Sequence, residues 1–154
     1  MSLWLCCSVW YTGLTNSMKL QVTQNKLIMF ILDLNLRANV GHQHFQSLNL
    51  LPVNKRVEQI ILCHMFKIKH KLAPAYMDYH LVLPDTVHST RLSQRGGFIM
   101  PTVKCSGSKS SFIGAKLWNT LPTNISDIDK LQSFKVFIKS HLIKYLKFLN
   151  CYSA

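Results

Sequence analysis

One stretch constrains this chain more than any other: Leu50–Tyr79, LLPVNKRVEQIILCHMFKIKHKLAPAYMDY. Its middle predicts a single helix over Lys55–Lys71. At 3.6 residues per turn, Val57, Ile61, Met65, Ile68 and Leu72 share one face. The opposite face of a surface helix is polar, yet here it carries Leu62, Cys63 and Phe66. A helix that is apolar nearly all round is buried on most sides. The rest of the chain must therefore supply elements to surround it. Its cations sit at the ends, Lys55 and Arg56 at the start and Lys67, Lys69 and Lys71 at the finish. His64, in the middle, reads as a packed or hydrogen-bonded histidine.

The flanking signals fix the limits of that helix. Asn54 suits an N-cap. Leu72 and Ala73 end the helix, because the residue before Pro74 is pushed out of the α region. Pro74 then suits the first turn of a short helix over 75–81. Upstream, 1–15 is apolar and aromatic, as at the start of a truncated chain. Asn16 or Ser17 caps a helix over Met18–Leu34, with Leu20, Leu27, Ile28, Ile31 and Leu34 on its buried side. A loop over 35–42 and a short helix over 44–50 follow.

Downstream, 84–95 is a polar connection. Residues 96–104 (GGFIMPTVK) alternate like a short strand, which Pro101 restricts to an edge or bulge. Cys105–Ser111 reads as a basic Ser/Gly loop, and Phe112–Asn119 as a helix stopped at Leu121–Pro122. The last helix runs from about Asp129 to Leu149. Leu131, Phe134, Ile138, Leu142, Tyr145 and Leu149 form its apolar stripe, with Lys139, Ser140 and Lys147 facing away. Asp127 and Asp129 at its start suit the helix dipole. The predicted fold is mainly α, a helical domain with a short β element near 96–104.

The 154 residues fit one domain, and 48% apolar content argues against wholesale disorder. Eighteen Lys and Arg against six acids give a net charge of +12, which favours a polyanionic partner: nucleic acid, or an anionic membrane surface. Five cysteines, Cys6, Cys7, Cys63, Cys105 and Cys151, show no disulfide framework. No stretch is apolar enough to span a membrane, and the start makes a poor signal peptide. These features predict an intracellular chain, nuclear or cytoplasmic.

Catalytic chemistry is not indicated. Only Asp127 and Asp129 are neighbouring carboxylates, and a helix start explains them better than two-metal chemistry does. His42-x-His44 and Cys63-His64 lack the paired spacing of a zinc site. There is no nucleophile elbow or complete phosphate loop; Ser106–Ser111 offers at most an anion nest. No cofactor or metal is expected. The remaining candidates are cations that could contact phosphates: Lys55, Arg56, Lys67, Lys69, Lys71, Arg91, Arg95, Lys104, Lys109 and Lys116.

Several segments together resemble the C-terminal region of reverse transcriptases from non-LTR (LINE-type) retrotransposons. They are WYTGL (Trp10–Leu14), LQVTQNKLIMFILDL (Leu20–Leu34), HFQSLNLLPVNKRVEQIILCHMFKI (His44–Ile68), LAPAYM (Leu72–Met77), HSTRLSQRGGFIMPTVK (His88–Lys104), SFIGAKLWNTLPTNI (Ser111–Ile125) and LQSFKVFIKSHL (Leu131–Leu142). The resemblance covers nearly the whole chain in order. It implies a thumb-like helical part over about 1–50 and a part similar to the C-terminal extension over about 51–154, within one truncated region. In that family these parts help hold RNA template and primer duplex. The catalytic aspartates, in a Phe/Tyr-Ala-Asp-Asp type motif, belong to the palm; this chain has no such motif. Met29 departs from a position that is often basic in the family, and Lys71 from one that is often small.

The resemblance and the charge together predict a polymerase fragment that is not an enzyme on its own and retains nonspecific RNA or DNA binding. The contrasting expectation is a non-catalytic helical interaction protein or relic with no nucleic-acid role, self-associating through its apolar N-terminus.

Overall fold

The computed structural model describes residues 14–35, 38–74, 97–100 and 108–149. Six helices lie within them: α1 (Leu14–Ile31), α2 (His42–Ser47), α3 (Val53–Lys69), α4 (Ser108–Asn119), α5 (Thr123–Ser126) and α6 (Leu131–Leu149). The fold is mainly α. Among the described residues there is no strand; of the expected β element, 97–100 has no regular structure and the remainder lies outside the described residues. So do 1–13, the expected helix at 75–81 and the connection at 84–95. The chain forms two compact units, Met1–Gln59 with Ile138–Ala154, and Ile60–Phe137. The divisions fall inside α3 and α6.

The all-round burial expected of the central helix is present. Along α3 only Asn54 and Arg56 are exposed; every other position is at least partly buried. Ile61, Leu62, Met65 and Phe66 are its most deeply buried apolar residues. The helix starts at Val53, two residues earlier than expected, so Asn54 lies inside it rather than capping it. Its first backbone donor, Val53 N–H, is instead accepted by Gln21 Oε1 at 2.9 Å, a side chain from α1. Leu72 falls beyond the helix and is exposed.

The first unit has a core of Ile28, Phe45 and Leu146, with Leu32, Val40 and Leu48 packed against it. Three expectations fail in this unit: the buried side of α1, its N-cap, and Tyr145 on the stripe of α6. The glutamine side of α1 is inward: Gln24 Nε2 donates to Leu51 O at 2.8 Å, beside the bond from Val53 to Gln21. Of the five residues expected to be buried only Ile28 is; Leu20, Leu27 and Ile31 are exposed and Leu34 is half-buried. Asn16 and Ser17 lie within the helix rather than capping it. Along α6, Tyr145 is exposed and Leu146 is buried in its place. At the start of α2, His44 Nδ1 accepts the Gly41 N–H at 3.0 Å, which satisfies a free helix-terminal donor.

The second unit is built on a chain of rings. The His70 ring stacks on Phe66 (centroids 4.2 Å apart), Phe66 meets Phe134 (4.7 Å), Phe134 stacks on Trp118 (5.7 Å), and Phe98 meets Trp118 edge-on (5.8 Å). Phe66, Phe98 and Phe134 have no exposed surface. Close approach of α4 to α3 requires Gly114: a Cβ there would sit 2.7 Å from Met65 Sδ. Ser108–Ser111, expected as loop, form the first turn of α4. Asn119, at the end of α4, acts as a one-residue substitute for a paired strand. Its Oδ1 accepts Phe98 N–H at 2.9 Å, and its Nδ2 donates to Phe98 O at 2.8 Å.

Asn119→Ala leaves both Phe98 backbone groups without these partners and should destabilise the chain by roughly 1–3 kcal/mol. Asn119→Asp loses the donor and sets a carboxylate against the Phe98 carbonyl, so it should be the worse of the two. Urea denaturation of the three proteins checks the order.

Candidate nucleic-acid interface

The structure distributes the ten candidate cations over distinct situations. Arg91, Arg95 and Lys104 lie outside the described residues, and Lys109 is placed as a residue of α4 without a described side chain. Lys55 and Arg56 belong to the first unit. Lys55 Nζ is 2.8 Å from both Glu58 carboxylate oxygens, and Arg56 Nη1 donates to Gln59 Oε1 at 2.6 Å. The Lys55 charge is therefore locally compensated within a half-buried i, i+3 pair.

In the second unit, Lys69 has an internal role. Its Nζ donates to Ser126 O at 2.9 Å and lies 5.4 Å from the centre of the Trp118 ring. The ammonium serves the last turn of α5, whose carbonyls lack helical partners, and gains a cation–π contact. Lys67 is half-buried, while Lys71 and Lys116 are exposed. These three are the cations of this unit best placed, among the sequence candidates, to meet a phosphate.

Lys71 also has a backbone role. It sits at φ 53°, in the left-handed region. Its N–H donates to Ile68 O at 3.0 Å, and the next N–H, of Leu72, to Lys67 O at 2.7 Å. These paired bonds are the Schellman arrangement, in which glycine is favoured at the left-handed position. The same pattern closes α1 at Asp33 (φ 50°) and α2 at Asn49 (φ 51°). Asp and Asn tolerate this conformation; a lysine gains nothing locally from it.

The sequence candidates omit cations that the helices display. Lys19 and Lys26 on α1 and Lys130, Lys135 and Lys144 at or on α6 are exposed. Across the six helices Glu58 is the one acidic residue. Helices usually carry acids i, i+4 to their lysines; the want of them was visible in the sequence as soon as the helix limits were known.

Two histidines lie beside this positive charge. The His64 pKa is lowered by burial and then by the Lys67 charge; that of His141 is lowered by burial and then by Lys144. His70 Nε2 is buried, with no hydrogen-bond partner among the described residues. Among the described residues no group of three His, Cys, Asp or Glu could hold a metal ion, and no helix is long and apolar enough to cross a membrane. No family model, curated protein or solved structure matches this chain.

Two outcomes follow from this geometry. Lys71→Gly should stabilise the chain by about 1 kcal/mol through relief of the left-handed conformation, read as a raised thermal midpoint. The lowered His64 and His141 pKa values mean that the unfolded chain binds more protons below about pH 6.5. Stability should thus be complete above that pH and decline as pH falls toward the folded-state pKa values. Denaturation midpoints at pH 7.5 and 5.0 check the sign, and His64→Gln should reduce the decline.

Proposed function

We propose that this chain is the thumb and C-terminal-extension part of a non-LTR retrotransposon RNA-directed DNA polymerase, and that its own activity is sequence-nonspecific binding of RNA or DNA. It carries no palm motif and performs no polymerisation by itself. Its place of action is intracellular, in nucleus or cytoplasm. The family assignment rests on the ordered segments from Trp10 to Leu142. The binding activity rests on one observation: helices that display many cations and a single acid, Glu58, already paired with Lys55. A surface so short of counter-charge attracts polyanions, and phosphate contacts need only reachable cations.

Lys67, Lys71 and Lys116 are the phosphate contacts proposed in the second unit; Lys69 is structural. Filter binding with a mixed-sequence RNA and a DNA duplex should give an affinity that falls linearly in log–log form with salt, since each contact releases counterions. The combined Lys67→Glu, Lys71→Glu and Lys116→Glu variant should lose about tenfold or more in affinity at low salt and show a shallower slope. Lys69→Gln should lower thermal stability and leave the slope nearly unchanged. Absence of binding at low ionic strength refutes the proposed activity.

A further inference from the structure

The outward side of α1 has no use in the fold described above. Gln21, Gln24 and Ile28 are inward, while Leu20, Thr23, Leu27 and Phe30 are exposed, Phe30 by 85%. Their spacing is three, four, three, the interval at which one helix presents knobs to another. Thr23 fits such a seam because its Oγ1 is already bonded to Lys19 O at 3.0 Å, so that its methyl remains to be packed. Ile31, also exposed, widens the stripe by one position. Lys19 and Lys26 are exposed and each directly precedes a seam leucine, Leu20 and Leu27. In heptad terms both occupy g when the leucines occupy a. No acid lies on α1; Asp33 comes after its end.

We infer that this face of α1 docks an amphipathic helix of another protein whose seam is apolar and whose flanking positions are acidic. Charge complementarity selects that occupant. A second copy of this chain offers no counter-charge: antiparallel pairing sets Lys against Lys, and parallel pairing sets Lys19 and Lys26 against Gln24 and Ile31. The net charge of +12 on each chain adds general repulsion. A lipid surface could attract the two lysines, but it does not use a three-four interval. An acidic helix uses both features at once, with g-position lysines setting partner choice. The seam covers about three turns, so the affinity of one such helix should be modest, on the order of 10 µM. This inference is independent of nucleic-acid binding.

The test uses the full chain and a fluorescent peptide of about three heptads with Leu at a and d and Glu at e and g, which do not favour its self-pairing. A matched peptide carries Lys at e and g. Anisotropy should show the Glu peptide binding at least about tenfold more tightly than the Lys peptide. Leu27→Glu, at an exposed site, should abolish binding without lowering the thermal midpoint, and the Lys19→Glu, Lys26→Glu variant should reverse the preference. Equal binding of the two peptides, or binding that survives Leu27→Glu, overturns the proposal. Sedimentation showing a dimer abolished by Leu27→Glu makes the occupant a second copy. Binding to phosphatidylserine vesicles lost in Leu27→Glu, with no peptide binding, makes it a lipid surface. Either result overturns the acidic-helix reading.

Discussion

The contact on which the second unit depends is the meeting of Phe66, Phe134 and Trp118. Each ring comes from a different helix, and each is almost wholly buried. Ring pairs at such distances contribute beyond the area they remove from water. The rest of the unit is fitted around them. Phe98 reaches Trp118 from a segment with no regular structure, so something must hold its backbone, and Asn119, the residue after Trp118, does so with both ends of its amide. Lys69 lies over the same Trp118 ring and reaches Ser126 O. Gly114, one turn before Trp118, allows Met65 and Ile61 to approach. The sequence GAKLWN therefore concentrates a close helix approach, the central ring and the backbone clamp within six residues.

The existence of the long helices could be read from apolar periodicity, and the buried character of α3 from the want of a polar face. Which side of α1 turns inward could not. Periodicity identifies a face rich in apolar residues and assumes that it is the buried one. In α1 that assumption loses to a local demand: the start of α3 exposes a free donor at Val53 and an acceptor at Leu51, and Gln21 and Gln24 meet both. Buried backbone groups without partners cost about as much as an apolar side chain gains, so a pair of glutamines can decide the orientation of a helix. A pattern of amides recurring at i and i+3 was present in the sequence; its partner, thirty residues away, was not.

The candidate site divides along similar lines. Sequence identified cations and grouped Lys67, Lys69 and Lys71 as one tip. Three residues that look alike in sequence have three different roles. Lys69 points its ammonium into the unit; Lys67 is half-buried and lowers the pKa of His64; Lys71 closes the helix in a left-handed conformation. Alternate residues at a helix end diverge by about 200° around the axis, so adjacency in sequence does not make a common surface. The role of Lys69 needed the position of Trp118 and Ser126, which no spacing rule supplies.

The two faces of α1 show why its exposed apolar surface is not removed by rearrangement of the helix. Turning the helix to bury Leu20, Leu27 and Ile31 would withdraw Gln21 and Gln24 from Val53 and Leu51 and expose Ile28, which is now almost completely buried. Among the described residues the inner face is satisfied, while Leu20, Leu27, Phe30 and Ile31 remain exposed. In the proposed docking a partner covers Phe30 and its neighbours, and burial of four such side chains is worth several kcal/mol before the entropy of association is subtracted. In the proposed docking, the lysines flanking the seam discriminate among the molecules able to cover it. In this helix the inner face fixes the orientation, and that orientation leaves Leu20, Leu27, Phe30 and Ile31 exposed.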